Sequence, residues 1–311
     1  MAATPYRFRL SSQCSHIRRH VCRRLITPQL SVRTCATGTE SSNGARLIEV
    51  MESPIENIKI LSMNNAPANV LSSAMIKEML SSISEVCNPE KGCCKGIVLT
   101  SSLPNVFCNG LDLQLLSDKL PYDSFSSYWK QLQMLYITLN TLPVPVVAAI
   151  NGDATGFGCI MALSTDYRVM AEKAEEGGGK QLKIGVDTVR CGLAVPPCFG
   201  AVVAHTVGYR ACEMFLQRGV ILCAAEAENA GLVDETVERA DEVLVRALDM
   251  AENLSVGPPW SFWLVKDASR KAFMAPLCTQ ALRDADCANF YEFISNTEVR
   301  RDMRAYIAGS A

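Results

Sequence analysis

Two glycine-containing turns are the segments of this 311-residue chain whose residue types and spacing can do chemistry. Residues 105–113 (NVFCNGLDL) follow the apolar run 96–101 (GIVLTS), and residues 151–159 (NGDATGFGC) follow residues 144–150 (VPVVAAI). Each turn leads from a predicted buried strand into a short predicted helix. Two such turns side by side can direct free backbone N–H groups at one oxygen. The pattern therefore indicates an oxyanion hole, although such glycines more often serve only the conformation of a turn.

Histidine chemistry and metal binding have little support in the sequence. Two of the three histidines, His16 and His20, lie in the N-terminal leader, and we expect the third, His205, to be a packed residue of a helix. The chain contains no HExxH, GxSxG or paired CxxC motif. Its 14 cysteines follow no repeated spacing. We therefore predict no metal site, reduced cysteines and no histidine base.

Composition and charge exclude several classes of partner. With 49% hydrophobic and 20% charged residues, the chain has the composition of a globular protein. Its net charge of -2 gives no electrostatic reason to bind nucleic acid. The apolar run 142–150 is too short to span a bilayer and contains two prolines. We therefore predict neither a nucleic-acid partner nor a membrane span.

Residues 1–39 differ from the rest of the chain in composition. They contain seven arginines and no lysine, aspartate or glutamate. An arginine-rich, acid-free leader with serine and threonine is typical of an organelle transit peptide. The alternative, a disordered basic arm, would normally contain lysine as well. We predict a mitochondrial transit peptide over residues 1–39 and a location in the mitochondrial matrix, which agrees with reduced cysteines.

The spacing of apolar residues predicts alternating strands and helices after the leader. The predicted strands are residues 55–63, 96–101, 144–150 and 167–171. The predicted helices between and after them are residues 71–86, 122–141 and 159–164. This alternation favours parallel crossover connections and an α/β fold. Residues 172–180, which include three consecutive glycines outside any phosphate-binding motif, are predicted to form a surface loop.

Helical spacing dominates from residue 199 to the C-terminus. The predicted helices are residues 199–207, 210–218, 224–230, 241–253, 259–273 and 277–305. The last two are rich in aromatic residues, so we expect them to dock on a neighbouring subunit. These aromatic residues are Trp260, Phe262, Trp263, Phe273, Phe290, Tyr291 and Phe293, together with Tyr306 directly after the last predicted helix.

Seven blocks of the sequence carry a resemblance to a known family. They are NAPANVLS (65–72), GIVLTS (96–101), VFCNGLDL (106–113), AAINGDATGFGCIMALSTDYRVMA (148–171), VGYRACEMFLQRG (207–219), AENAGLVDETV (227–237) and RDADCANFYEFIS (283–295). In this order they resemble the crotonase superfamily, and most of all its mitochondrial Δ3,Δ2-enoyl-CoA isomerase branch. The resemblance implies a crotonase-like core, a repeated ββα spiral, over residues 40–250. It also implies a C-terminal helical trimerisation region over residues 251–311, a homotrimer, and an acyl-CoA substrate with no cofactor besides its own CoA.

The resemblance also assigns site residues. It implies that the backbone N–H groups of Leu111 and Phe157 hold the thioester oxygen, and that Phe157 also lies against the substrate. It implies further substrate contacts at Ala68, Asn109, Gly110, Asp112 and Leu113. Asp112 is expected to be a helix-start carboxylate rather than a base. Phe157 stands where the family usually has glycine, so we expect its ring to disfavour a positive φ and to crowd the acyl chain.

The position of the catalytic base departs from the family. Family isomerases carry a glutamate four residues before a glycine, and in IGVDTVRCGL (184–193) that position is Thr188. A threonine hydroxyl cannot act as a base near pH 7. The adjacent Asp187 is a possible base, but neighbouring residues of an extended segment face opposite ways, so it reaches the site only if the backbone shifts by one residue.

These residues leave three functions open. The first is isomerisation of a 3-enoyl-CoA to the 2-trans isomer in mitochondrial fatty acid β-oxidation. The second is a catalytically weak or inactive acyl-CoA-binding homologue, which Thr188 favours. The third is another crotonase reaction, such as thioester hydrolysis or decarboxylation. Hydration is disfavoured because Ile160 stands where hydratases place one of two catalytic glutamates.

Overall fold

The computed structural model describes residues 46–174 and 179–310. The predicted transit peptide and part of the glycine-rich loop lie outside the described residues. The described residues form ten strands. They are β1 (Ile48–Glu52), β2 (Ile58–Met63), β3 (Gly96–Ser101), β4 (Asn105–Cys108), β5 (Val146–Ile150), β6 (Gly152–Thr155), β7 (Tyr167–Lys173), β8 (Lys183–Gly185), β9 (Ile221–Cys223) and β10 (Glu235–Arg239).

Helices connect and cover these strands. They are α1 (Ser73–Val86), α2 (Leu113–Ser117), α3 (Tyr122–Thr141), α4 (Phe157–Leu163), α5 (Pro197–Val207), α6 (Tyr209–Arg218), α7 (Ala224–Asn229), α8 (Ala240–Leu254), α9 (Pro259–Met274), α10 (Gln280–Ser295) and α11 (Thr297–Ser310). Short 3₁₀ helices occupy Thr188–Cys191 and Ala275–Leu277. No helix in the described part of the chain is long and apolar enough to cross a membrane.

The strands form two sheets, and the chain alternates between them. The first sheet has the order β1-β2-β3-β5-β7-β10, and the second has the order β4-β6-β8-β9. Each strand β3, β5 and β7 of the first sheet is followed along the chain by a strand of the second sheet, β4, β6 and β8. The pairs β3–β5, β5–β7, β4–β6 and β6–β8 are all parallel. This repeated ββα spiral confirms the predicted α/β class.

Local sequence explains the elements on either side of the site. Ser72 caps α1, because its side chain accepts a hydrogen bond of 3.2 Å from the amide of Met75. Buried methionine and isoleucine side chains recur along one face of this helix. Strand β5 is buried at every position, as expected for a strand covered on both faces of a parallel sheet.

Two expectations about the C-terminal helices are wrong in part. The predicted helix 277–305 is two helices, because the backbone is extended at Asn296, with φ -62° and ψ 131°. Several of the aromatic side chains pack on this chain's own core and are therefore not exposed for contact with a neighbouring subunit. Phe273 and Phe290 are buried, and the ring of Phe290 stacks on Trp129 with 4.1 Å between centroids. Trp260 is 54% exposed.

Candidate active site

The first glycine bend connects β4 to α2. Gly110 adopts φ +86°, a backbone conformation that favours glycine, and its carbonyl oxygen accepts a 2.8 Å hydrogen bond from the amide of Leu71. Asp112 caps α2, because its Oδ1 accepts a 3.0 Å hydrogen bond from the Leu115 amide. The predicted role of Asp112 as a helix-start carboxylate is therefore confirmed. The amide of Leu111 has no acceptor among the described residues.

Most of the predicted substrate contacts lie at this first bend. Asn109 is exposed, and its amide donates a 3.1 Å hydrogen bond to the carbonyl oxygen of Ala68. Leu113 is the first residue of α2 and is half-buried. The structure thus brings Ala68, Asn109, Gly110, Asp112 and Leu113 together around Leu111.

The second bend connects β6 to α4. Gly156 adopts φ +56° and ψ -123°, and its amide donates a 2.9 Å hydrogen bond to the Gly185 carbonyl oxygen. Phe157 is the first residue of α4, where a backbone N–H has no partner within the helix. Phe157 itself has no positive φ, as expected for its bulky ring, because the preceding Gly156 carries that conformation instead.

The two bends are in close contact. A Cβ atom built on Gly110 would lie 2.6 Å from the amide nitrogen of Phe157 and 3.0 Å from the carbonyl oxygen of Thr155. A Cβ atom on Gly158 would lie 1.9 Å from the carbonyl oxygen of Cys108. The parallel pairing of β4 with β6 produces this approach. The sequence suggested two turns at these positions, but both contain strands, and the pairing of these strands brings the turns together.

A third segment joins this contact from β8, which pairs with β6. Measured from a Cβ atom built on Gly156, the Thr188 Cγ2 lies at 3.7 Å, the Asn109 carbonyl oxygen at 3.8 Å and the Asp187 Oδ1 at 3.9 Å. Asp187 is half-buried and Thr188 is buried. Both side chains therefore adjoin the second bend.

The expectation that Asp187 and Thr188 face opposite ways does not hold. Their segment is a 3₁₀ turn rather than an extended strand, and Asp187 precedes it with φ -102° and ψ 12°. In a turn, neighbouring side chains are not forced to opposite sides. No shift of the backbone is needed for Asp187 to reach the bend.

Tyr306 of α11 contacts the same carboxylate, a contact that sequence reasoning missed. Its hydroxyl donates a 3.0 Å hydrogen bond to Asp187 Oδ2. Tyr306 was grouped with the aromatic residues of the subunit contact, and no motif in the sequence connects it with Asp187, which lies 119 residues earlier.

The neighbouring thiols are poor candidates for the base. Burial raises the pKa of the Cys159 thiol to about 12 and the pKa of the Cys191 thiol to about 11. The negative charge of Asp187 adds to both shifts. These thiols therefore stay protonated near neutral pH. The eleven cysteines in the described residues are all free.

Aromatic side chains fill the apolar space beside the second bend. The ring of Phe157 is 3% exposed and lies 4.8 Å from Phe199 and 6.3 Å from Trp129, measured between ring centroids. The pocket lined by Phe157, Phe199 and Ile160 has a free volume of about 10 Å³, hardly enough for one water molecule. An acyl chain can enter this space only if side chains move.

The remaining candidates lie apart from the bends. His205 is in α5, where its exposed ring packs on Phe273 with 4.6 Å between ring centroids. The part of the ring that is shielded from solvent lowers the pKa of His205, and the nearby Arg270 and Arg168 lower it further. The described residues contain no group of three or more histidine, cysteine or acidic side chains suited to a metal ion.

Comparison with known proteins agrees with this arrangement. The chain matches the enoyl-CoA hydratase/isomerase family over residues 54–308. It is 32% identical over 279 residues to "Enoyl-CoA delta isomerase 1, mitochondrial" of Mus musculus, and the matched segment covers 90% of this chain and 92% of the mouse protein. It is 25% identical over 276 residues to "Probable enoyl-CoA hydratase 2, mitochondrial" of Arabidopsis thaliana, which covers 85% and 87% of the two chains.

A solved structure extends this likeness to the fold. The crystal structure of human mitochondrial delta3-delta2-enoyl-CoA isomerase is similar with a TM-score of 0.77 and 31% sequence identity. The match covers 84% of this chain and 97% of the human chain. The resemblance predicted from the seven sequence blocks is confirmed. The chain belongs to the enoyl-CoA hydratase/isomerase family, the crotonase superfamily.

Proposed function

We propose that this protein is a Δ3,Δ2-enoyl-CoA isomerase of mitochondrial fatty acid β-oxidation. It moves the double bond of a 3-enoyl-CoA to the 2-trans position. One observation carries the proposal: the carboxylate of Asp187 adjoins Gly156, whose neighbour Phe157 supplies a free helix-start amide. A base and an oxyanion donor therefore share one site, although the family's glutamate is replaced by Thr188.

The reaction needs a proton transfer and a place for negative charge. Asp187 takes a proton from C2 of the substrate, and the electron pair moves toward the thioester oxygen to form a dienolate. The N–H groups of Leu111 and Phe157 hold that oxygen, and loss of one such donor costs about 2.7 to 4 kcal/mol of barrier. The protonated Asp187 then returns the proton to C4, so the reaction has no net change in protons.

The location and the assembly are part of the same proposal. The arginine-rich leader, residues 1–39, and the mitochondrial name of the mouse relative support import into the mitochondrial matrix. Exposed apolar side chains of α9, Trp260 at 54%, Leu264 at 49% and Val265 at 69%, support a homotrimer. The substrate is an acyl-CoA, and no cofactor is needed because the base and the donors are protein groups.

The decisive experiment follows the isomerisation of 3-hexenoyl-CoA by the absorbance of the conjugated 2-enoyl product. We expect the full-length protein to turn over this substrate and Asp187→Ala to be slower by about 100-fold, within the usual contribution of a general base. Thr188→Glu restores the family's carboxylate and should raise the rate. Full activity of Asp187→Ala would contradict the assignment of the base.

The observation that favours a second function is Thr188 itself. An acyl-CoA-binding homologue without catalysis would bind 3-hexenoyl-CoA in a calorimetric titration, yet neither the wild type nor Asp187→Ala would isomerise it. Thr188→Glu would then isomerise the substrate although the wild type does not. Release of free CoA, followed with a thiol reagent, would identify thioester hydrolysis in place of isomerisation.

A further inference from the structure

The two carboxylate oxygens of Asp187 have different surroundings. Oδ2 accepts a 3.0 Å hydrogen bond from the hydroxyl of Tyr306. Oδ1 accepts no hydrogen bond from the described residues and lies 3.9 Å from a Cβ atom built on Gly156. One oxygen is therefore held by the C-terminal helix, and the other adjoins the second glycine bend.

Helix α11, which carries Tyr306, is braced on both sides of the site. Arg304 donates a 3.0 Å hydrogen bond to the carbonyl oxygen of Ser117, at the end of α2. On the other side, the Cβ of Asp302 lies 3.1 Å from a Cβ atom built on Gly192, directly after the 3₁₀ turn that begins at Thr188. These contacts hold the helix in place, so the hydroxyl of Tyr306 has a fixed position.

A carboxylate on a short side chain can rotate about its last bond, and this rotation changes which oxygen faces the substrate. A hydroxyl that donates to one oxygen fixes the plane of the group, and such a bond to a charged acceptor is stronger than one between neutral groups. The hydroxyl can donate to Oδ2 both before and after Oδ1 takes a proton. We infer that Tyr306 is a positioning residue that holds Asp187 so that Oδ1 takes the proton from C2 and returns it to C4.

This inference rests on the proposed function and explains one feature of it. Aspartate at position 187 is one residue away from the family's glutamate and one methylene shorter. A base displaced in this way needs support that a glutamate at position 188 would not need. The hydrogen bond from Tyr306 supplies this support from a segment of the chain more than a hundred residues away.

The test is a double-mutant cycle on the full-length protein with 3-hexenoyl-CoA as substrate. We expect Tyr306→Phe to lower kcat about tenfold and to change KM by less than twofold, because the ring and its packing are kept. In the Asp187→Ala background, Tyr306→Phe should cause no further loss. The matched control is Tyr291→Phe, which removes a hydroxyl that donates a 2.9 Å hydrogen bond to the Leu120 carbonyl oxygen and should leave kcat unchanged.

The outcomes separate the positioning role from the proposed function. Wild-type activity of Tyr306→Phe, together with an inactive Asp187→Ala, overturns the positioning role and leaves the proposed base intact. A tenfold loss from Tyr306→Phe in the Asp187→Ala background also overturns it, because the hydroxyl would then act on the structure and not through the carboxylate. Full activity of Asp187→Ala overturns the proposed base, and the positioning role falls with it.

Discussion

Gly110 and the amide nitrogen of Phe157 are so close that a Cβ atom on Gly110 would lie 2.6 Å from that nitrogen. Real Cβ atoms essentially never approach a backbone nitrogen to this distance. The nitrogen belongs to the first residue of α4 and is fixed by the sheet pairing behind it. The geometry of the proposed oxyanion hole therefore depends on the absence of a side chain at residue 110.

Gly110→Ala should abolish most of the proposed isomerase activity. The new methyl group pushes the two bends apart and moves the amides of Leu111 and Phe157 out of register, so we expect kcat to fall at least 100-fold. The matched control is Gly208→Ala. Gly208 has nearly the same φ, +84° against +86°, but a Cβ atom there would meet nothing within 4 Å.

Steady-state kinetics and urea unfolding of both variants separate contact from backbone strain. Both variants should lose a similar free energy of unfolding from the positive φ, about 1 kcal/mol, and Gly110→Ala should lose more because of the clash. Only Gly110→Ala should lose activity. Equal kinetic losses in the two variants would show that the close approach has no part in catalysis.

The glycine pattern predicted both bends, and the family resemblance implied that they converge, but no local signal in the sequence gives the contact itself. Glycines after continuous apolar runs indicate a turn after a buried strand, and this signal located Gly110 and Gly156. Strands β4 and β6 were missed, because each has only four residues and their sequences, NVFC and GDAT, contain asparagine, glycine and aspartate, which are rare in strands. Their register is set by pairing between distant segments, and local residue patterns carry no information on it.

Phe157→Ala should separate the structural and catalytic parts of this residue. Its ring packs on Phe199 and Trp129, so truncation leaves a cavity and should lower the free energy of unfolding by about 3 to 5 kcal/mol. The backbone N–H remains, so the folded variant should keep kcat within tenfold on 3-hexenoyl-CoA. Phe157→Leu, which fills more of the space, should lose less stability.

Urea unfolding and steady-state kinetics measure these two effects independently. The additional free volume should also lower KM for longer 3-enoyl-CoA substrates relative to 3-hexenoyl-CoA, if the acyl chain enters this apolar space. A stable Phe157→Ala variant with no activity would indicate that the ring, and not the amide, serves the reaction.

The sequence predicted Asp187 as a candidate base but predicted neither its direction nor its contact with Tyr306. Asp187 was recognised as a candidate because it adjoins the position of the family's glutamate. Its direction was predicted incorrectly, because a 3₁₀ turn of four residues leaves no clear periodicity in the sequence. The contact of Tyr306 depends on the break between α10 and α11 at Asn296. The helical spacing of apolar residues continues through Asn296, so the sequence did not predict this break.

Charge on the exposed face of α9 should disrupt the proposed trimer. Trp260 and Leu264 are four residues apart, so they share one side of the helix, and both are exposed in the single chain. Burial of a carboxylate at this contact is costly, so Trp260→Glu and Leu264→Glu should dissociate the assembly. Sedimentation should give a trimer for the wild type and smaller species for both variants.

The control for this experiment is Val245→Glu, a substitution at a side chain of α8 that is 63% exposed and lies outside the α9 face. This variant should remain a trimer. A wild-type protein that sediments as a monomer at all concentrations would contradict the prediction, and the exposed side chains of α9 would then need another explanation.

Lys266 gives a prediction about stability at alkaline pH. Its side chain is buried, and its Nζ lies 2.8 Å from Asp166 Oδ2, while Arg270 contacts Asp166 Oδ1 at 2.8 Å. Burial lowers the pKa of Lys266 from 10.5 to about 8, because the attraction of Asp166 offsets only part of the cost and Arg270 adds repulsion. The unfolded chain therefore binds a proton at this residue between pH 8 and pH 10.5 that the folded chain has lost.

Stability rises with pH wherever the unfolded state binds more protons than the folded state. The free energy of unfolding of the wild type, taken relative to Lys266→Met, should therefore be lowest below pH 8 and should increase from pH 8 to pH 10.5. Urea unfolding of both proteins across this range measures the difference, and ionisations common to both cancel. Lys271→Met, at an exposed lysine of the same helix, is the control. The difference in free energy of unfolding between the wild type and this variant should show no such increase. A difference between wild type and Lys266→Met that stays flat or decreases above pH 8 would mean that Lys266 keeps its proton, and that Asp166 compensates fully for its burial.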